Sequence, residues 1–165
     1  MNRFLSRRFF ILIPFASILK VIFKPQKVFA ASADDFIDYK SLSKEEWRQR
    51  LSPEAFYILR EEGTERPFTS NLNNEKREGS YHCVNCEVKL FESNTKYESG
   101  SGWPSFFNSL PNVFETKTDN LLGYPRTEYH CKNCGGHHGH IFEDGPDPTG
   151  KRFCNNGVCL TFKPK

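Results

Sequence analysis

Six cysteines stand among 165 residues, and four of them form two pairs of the same spacing, Cys83-Val84-Asn85-Cys86 and Cys131-Lys132-Asn133-Cys134. Each pair closes a predicted strand through a polar turn, and two such knuckles can set four thiolates in a tetrahedron about 2.3 Å from one Zn²⁺. Between Cys86 and Cys131 lie 44 residues, more than a compact zinc ribbon allows, so the ion would join two distant hairpins and staple the fold shut. Four thiolates leave no open coordination position, which makes such a site structural. The same residues could instead form two disulfides or a thioredoxin-like redox CxxC, but the latter needs a βαβ context that the sequence lacks.

Cys154 lies in Gly150-Lys151-Arg152-Phe153-Cys154-Asn155-Asn156. A neighbouring guanidinium favours thiolate over thiol, and the thiolate is the nucleophile. Upstream runs Gly135-Gly136-His137-His138-Gly139-His140-Ile141-Phe142-Glu143-Asp144. His137 and His140, three apart around a glycine, can bring two imidazoles to one pocket, where a pKa near 6.5 suits proton delivery. Nucleophile, acid and charge-orienting groups thus fall within about 20 residues, as two-electron thiol chemistry requires. Ser99-Gly100-Ser101-Gly102-Trp103-Pro104-Ser105-Phe106-Phe107 adds an aromatic wall on a Gly-rich loop, and Trp103 can offer its face to a methyl group. Each feature alone has a plainer reading: a buried Cys is usually a small hydrophobe, the His pair could be a second metal site or a surface turn, and Phe106 and Phe107 read as core. Their joint presence is what points to a site.

The elements that must position these groups are short. Leu42-Ser43-Lys44-Glu45-Glu46-Trp47 is a capping box with a hydrophobic staple and predicts a helix starting after Ser43. Ser52-Pro53-Glu54 repeats the signal, and that helix should run through Ala55, Ile58 and Leu59 until Gly63 stops it. From Arg66 onward, aromatic-rich runs broken by Gly, Pro and Asn (Tyr81 to Cys83, Val88 to Phe91, Thr127 to His130, Arg152 to Phe162) predict strands of an antiparallel, mostly β domain.

The first 33 residues differ from the rest. They carry Arg3, Arg7, Arg8, Lys20, Lys24 and Lys27, no acidic residue, an apolar run from Phe9 to Leu19, and small residues at Ala30, Ala31 and Ala33. This is the pattern of a secretory signal peptide, with cleavage after Ala30 or Ala33, and Ser6-Arg7-Arg8-Phe9-Phe10 resembles a twin-arginine signal. The alternatives are an organellar transit peptide and an uncleaved anchor. The expected organisation is therefore an export signal over 1–33 and one domain over 34–165, working in the periplasm or an equivalent extracytoplasmic or lumenal compartment. The chain's net charge of +3 hints at an acidic partner, yet removing the leader leaves 17 basic against 20 acidic residues, and the expectation of nucleic-acid binding goes with it. A mean hydropathy of -0.63 excludes a polytopic membrane protein, and 15% aromatic residues argue against wholesale disorder.

From about Leu42 to Phe162 the chain resembles the methionine-(R)-sulfoxide reductases. The resemblance rests on RLSPEAFYILREEGTERPFT, the SGSGWPSFF loop, the paired CxxC, GGHHGHIFEDGPDPTGKRFCNN and the terminal LTF, all in family order. It implies two twisted antiparallel sheets with N-terminal helices packed on them, and a structural Zn²⁺ on Cys83, Cys86, Cys131 and Cys134. It implies Cys154 as nucleophile, His137, His140 and Asp144 as acid and orienting residues, Arg152 and Asn156 as supports of the thiolate, and Trp103 as the ring that receives the substrate methyl. The implied reaction is thiol-dependent reduction of the R epimer of methionine sulfoxide, in oxidised proteins or peptides, through a cysteine sulfenic acid.

Ser101 stands where many relatives carry the resolving cysteine, so recycling is expected to use an external thiol such as a thioredoxin-like protein, with the enzyme a monomer. The last cysteine, Cys159, would lie roughly 16 Å from Cys154 if both shared one strand, against less than about 7 Å for a disulfide, and on the opposite face. It is read as a buried structural residue, the alternative being a resolver that needs a local rearrangement. His138, Asn155 and Gly157 also depart from the family, where an apolar residue, an aliphatic and Ser are usual. The competing class is a non-enzymatic zinc module with Cys154 inert, which leaves Arg152, the His pair and the Trp103 loop without purpose; a thiol-disulfide oxidoreductase conflicts with a closed four-thiolate site.

Overall fold

The structure is a computed structural model that describes residues 37–165; the export signal read over 1–33 lies outside the described residues. Among these, no helix is long and apolar enough to cross a membrane. Both predicted N-caps form. The Ser43 hydroxyl accepts from Glu46 N and the Glu46 carboxylate accepts from Ser43 N at 2.8 Å, a reciprocal pair that opens α1 (Lys44–Arg50). Ser52 caps α2 (Pro53–Glu61), whose Pro53 occupies a position that has no use for an N–H. The stop differs in detail from expectation. Glu62, at φ 57°, is the left-handed cap; Gly63 is required instead because a Cβ there would lie 2.2 Å from the Tyr57 ring.

Nine short strands follow: β1 (Gly79–Cys83), β2 (Lys89–Glu92), β3 (Lys96–Tyr97), β4 (Ser105–Phe106), β5 (Phe114–Asp119), β6 (Arg126–Cys131), β7 (His137–Phe142), β8 (Arg152–Asn155) and β9 (Leu160–Pro164). They build a three-stranded sheet ordered β2-β1-β9 and a six-stranded sheet ordered β3-β4-β8-β7-β6-β5, with every pairing antiparallel. The expected architecture of two antiparallel sheets is therefore present. Between the sheets lies an aromatic core. Phe91 of the small sheet stacks on Phe106 of the large one at 4.0 Å and meets Phe153 edge-on at 5.9 Å, while Tyr81 packs edge-on against Phe106. Much of the high aromatic content thus goes into joining the two sheets.

The run from Arg152 to Phe162, expected as one strand, is two. β8 belongs to the large sheet and β9 to the small one, with a 3₁₀ turn at Gly157–Cys159 between them. The buried Glu65 carboxylate causes the break: its two oxygens accept from Gly157 N at 2.6 Å and Val158 N at 3.0 Å, which takes both amides out of any ladder. Cys159 therefore does not share a strand with Cys154. It is fully buried against Ala55, Ile58 and Leu59 of α2, which agrees with its structural reading.

Strand alternation decides what faces where. Phe153 and Asn155 point into the core, so Arg152 and Cys154 point out. Cys154 pairs with His140 of β7, which in turn pairs with Glu128 of β6 and that with Lys117 of β5, so one row of side chains crosses the outer face. Close approach of β7 to β8 needs Gly139, where a Cβ would lie 1.9 Å from the carbonyl oxygen of Cys154. Gly139→Ala is expected to force the two strands apart, lowering stability by about 1–3 kcal/mol or more and displacing Cys154 from His140. A thermal melt and a thiol-reactivity assay check it.

Candidate active site

The four paired cysteines meet at the sheet junction. Cys83 ends β1 and Cys131 ends β6, and their knuckles bring Cys83 Sγ to 3.6 Å from Cys134 Sγ and Cys86 Sγ to 3.6 Å from Cys131 Sγ. A tetrahedral ion with 2.3 Å bonds to sulfur would space its ligands by about 3.8 Å, so the cluster is compatible with structural zinc. Hydrogen bonding among the thiols pushes Cys86 and Cys134 down, the latter to about 7, and Cys83 and Cys131 up. Thiolate is thus favoured at two of the four, and a bound cation would have to draw the proton from the other two. Arg60 of α2 ties a helix to the knuckle: it donates to Cys134 O at 2.9 Å while lying 3.8 Å over the Trp47 ring.

On the outer face, Cys154, His140, Trp103 and Phe142 line one cavity of about 110 Å³, together with Arg126 and Asn156. His137 does not line it; it lies buried behind, its ring 5.6 Å from that of His140. Residues three apart on a regular strand face opposite sides. A bulge resolves this: the β6–β7 register slips between Tyr129 and His130, leaving His138 as the extra residue. His137 and His140 then share the outer face, and His138 turns into the core beside Phe114 and Tyr129.

Sequence reasoning missed Asp119. Its carboxylate contacts His140 Nε2 at 2.9 Å, pairs with Arg126, and accepts from Leu121 N. The Leu121 amide first, then His140 and Arg126, hold Asp119 far below the usual carboxylate range. An ionised carboxylate only accepts, so His140 carries its proton on Nε2 toward Asp119, leaving Nδ1 for exchange with a ligand. No local motif marks Asp119, because the β5–β6 pairing alone brings it to His140. His137 is held neutral, its pKa pushed down to about 3 by burial and then by His140 and His130, so of the two imidazoles His140 is the one equipped to deliver a proton.

Arg152 is fixed by a bidentate pair with Asp144, both contacts 2.8 Å, and stacks 4.4 Å over Phe142. The expected depression of the Cys154 pKa is corrected. Burial pushes the thiol above its ordinary value, outweighing Arg152 and the Ser101 hydroxyl, which pull it down. Cys154 therefore rests as the thiol, because the cavity that shelters it also desolvates it. Asn156 is engaged elsewhere than at Cys154: its Oδ1 accepts from Glu65 N at 3.0 Å and its Nδ2 donates to His138 O at 3.0 Å.

Trp103 is oriented by Glu65, whose carbonyl accepts from the indole Nε1 at 3.1 Å. Glu65 is the second residue missed. Through its carboxylate, amide and carbonyl it joins the turn after Cys154, Asn156 and Trp103. The only trace in the sequence is a charged residue in the GTERPF stretch, which gives no sign that it is buried.

A SelR domain model matches residues 51–164. The chain is 53% identical over 123 residues to a peptide methionine sulfoxide reductase MsrB of Pseudomonas putida (strain W619), covering 73% of this chain and 92% of that protein. The chain belongs to the SelR family. The match extends to eukaryotes. The chain is 51% identical over 132 residues to the mitochondrial methionine-R-sulfoxide reductase B2 of Rattus norvegicus, covering 75% and 76% of the two chains. It is 47% identical over 138 residues to the chloroplastic peptide methionine sulfoxide reductase B1 of Arabidopsis thaliana, covering 83% and 67%.

Within this SelR chain, the departures noted from sequence fit together. His138 Nδ1 lies 3.3 Å from Asn155 Oδ1, which also accepts from Tyr129 OH at 2.7 Å, and His138 Nε2 reaches Cys83 Sγ at 3.4 Å. Two polar residues at buried positions thus satisfy one another, as each alone could not. Gly157 leaves room for Ser70, whose hydroxyl would lie 1.9 Å from a Cβ.

Two outcomes follow. Because Cys154 rests protonated, its alkylation should climb with pH through a midpoint above that of an ordinary thiol, and Arg152→Ala should move the midpoint higher still; complete alkylation at pH 6 would contradict the burial argument. Glu65→Ala strands the buried amide of Gly157 and the half-buried one of Val158, so urea unfolding should show a loss of about 2–4 kcal/mol, with slower thiol chemistry as Trp103 loosens.

Proposed function

We propose that this protein reduces the R epimer of methionine sulfoxide to methionine with Cys154 as nucleophile. The carrying observation is the cross-strand pair of Cys154 and His140 at one small cavity walled by Trp103 and Phe142; the named activities of the SelR relatives support it. The substrate sulfoxide sits with its methyl on the Trp103 ring and its oxygen toward His140. His140, aligned by Asp119, gives one proton to the sulfoxide oxygen as the Cys154 sulfur bonds to the substrate sulfur and its own proton passes to the same oxygen. The S–O bond breaks and the oxygen leaves as water. Water then adds to the Cys154 sulfur, its proton returning to His140, methionine departs with the electron pair of the S–S bond, and Cys154 is left as sulfenic acid. The substrate sulfur has gained two electrons and the Cys154 sulfur has lost two; the substrate oxygen has left as water, and the sulfenic oxygen is that of the water added.

Recycling then needs two thiols from outside: the first condenses with the sulfenic acid, releasing water and forming a mixed disulfide, and the second displaces Cys154. Cys159 is too buried to serve. Substrates are methionine-(R)-sulfoxide residues of oxidised proteins or peptides, and a thioredoxin-like dithiol is a fitting reductant. Cys83, Cys86, Cys131 and Cys134 hold Zn²⁺, which fastens the two sheets and takes no part in the chemistry. The basic, apolar leader supports export to the periplasm or an equivalent compartment before action.

Epimer-resolved assay with a dithiol reductant tests the reading. Wild type should consume only the R epimer, Cys154→Ser should lose turnover by at least about 10³-fold with the metal retained, and Asp119→Asn should lower kcat by about 10–100-fold. Undiminished turnover in Cys154→Ser would remove the nucleophile. Ser101 touches the thiol it faces, so Ser101→Cys should convert recycling to an internal disulfide with Cys154 after one turnover, detected by mass spectrometry.

A further inference from the structure

We propose that Glu128, His130 and His137 form a second site for a divalent transition-metal ion, separate from the four cysteines, whose occupation inhibits the enzyme. Glu128 and His130 lie two apart on β6, and His137 pairs with His130 across to β7, so all three side chains share the outer face. One ligand atom from each falls within 4.8 Å of the others. His137 Nδ1 lies 2.5 Å and His130 Nε2 2.9 Å from the same oxygen, Glu128 Oε1.

Glu128 Oε1 and both ring nitrogens of His137 are buried without a hydrogen-bond partner. A carboxylate oxygen and two imidazoles that converge at one buried point offer a cation the lone pairs it needs. Two imidazoles and a carboxylate suit Zn²⁺, Co²⁺ or Ni²⁺. Bonds of about 2.0–2.1 Å would space tetrahedral ligands by about 3.3 Å, so the ligands must open by less than 1 Å or so.

Positive charge already gathers at this place. Lys117 Nζ lies 3.3 Å from the second Glu128 oxygen and pairs with Glu62, whose carboxylate is 3.9 Å from His130 Nε2 and half exposed. Displacing the flexible ammonium leaves Glu62 free to become a fourth ligand. The entrance is a surface cavity of about 550 Å³ lined by Glu62, Glu128, His137 and His140. The inhibitory consequence rests on the sulfoxide-reductase reading: an ion bound to His137 sets positive charge beside His140, 5.6 Å away ring to ring, and disfavours the protonated state that delivers the proton.

Full-length protein carrying one zinc per chain is titrated with Co²⁺ and its visible spectrum followed. One equivalent should bind with the bands of nitrogen- and oxygen-ligated cobalt and without thiolate charge transfer. His130→Gln should weaken binding at least tenfold with turnover unchanged in the absence of added metal, and Lys117→Met should tighten it. Added Zn²⁺ should inhibit wild type, reversibly with chelator, and spare His130→Gln. No cobalt bound beyond the cysteine site, or equal binding by wild type and His130→Gln, would overturn the site. Binding is read without turnover, so its failure and that of the proposed reaction are distinguishable.

Discussion

Two small antiparallel sheets meet where four sulfur atoms converge, and the position of almost every other group follows from that junction. One sheet has three strands and the other six, each strand only two to six residues long, and both turn apolar faces to the shared core. Cys83 and Cys86 come from the small sheet, Cys131 and Cys134 from the large one, and their sulfurs lie within bonding reach of a single ion. The aromatic core extends this junction, with Phe91 set on Phe106 and Phe153. Phe153 is thereby driven inward, and alternation drives Cys154 outward to the reactive face.

The same junction reaches the reactive strand by a polar route. His138 touches the Cys83 sulfur on one side and Asn155 on the other, and Asn155 is the immediate neighbour of Cys154. His138 is there because of the bulge that also lets His137 and His140 share the outer face. One irregularity in the β6–β7 ladder therefore sets both the inner link and the outer pair of imidazoles. Glu65 plays the matching part after Cys154, bending the chain away from β8 while holding Trp103 by its indole N–H.

Much of this was legible in the sequence. The two helix starts could be read because capping is local chemistry, in which Ser43 meets Glu46 three residues on. The convergence of Cys83, Cys86, Cys131 and Cys134 could be read because two CxxC knuckles of equal spacing favour one four-thiolate cluster. What escaped was set by distant pairing. Asp119 meets His140 only because β5, a mostly exposed strand without apolar alternation, pairs with β6. The break between β8 and β9 depends on a carboxylate some 90 residues away. The resting state of Cys154 was misjudged for a related reason, since the adjacent arginine is visible in the sequence and the burial that outweighs it is not.

The proposed reaction reduces the R-sulfoxide at the expense of Cys154, which becomes a sulfenic acid, with His140 supplying the proton. Single-turnover mass spectrometry measures it: the zinc-loaded protein is mixed with excess R-sulfoxide peptide without reductant, and sulfenic acid is trapped with a dione. One trapped adduct per chain, at Cys154, with one methionine formed for each adduct is the result expected. Methionine formed without an adduct at Cys154, or an equal yield from the S epimer, would contradict it.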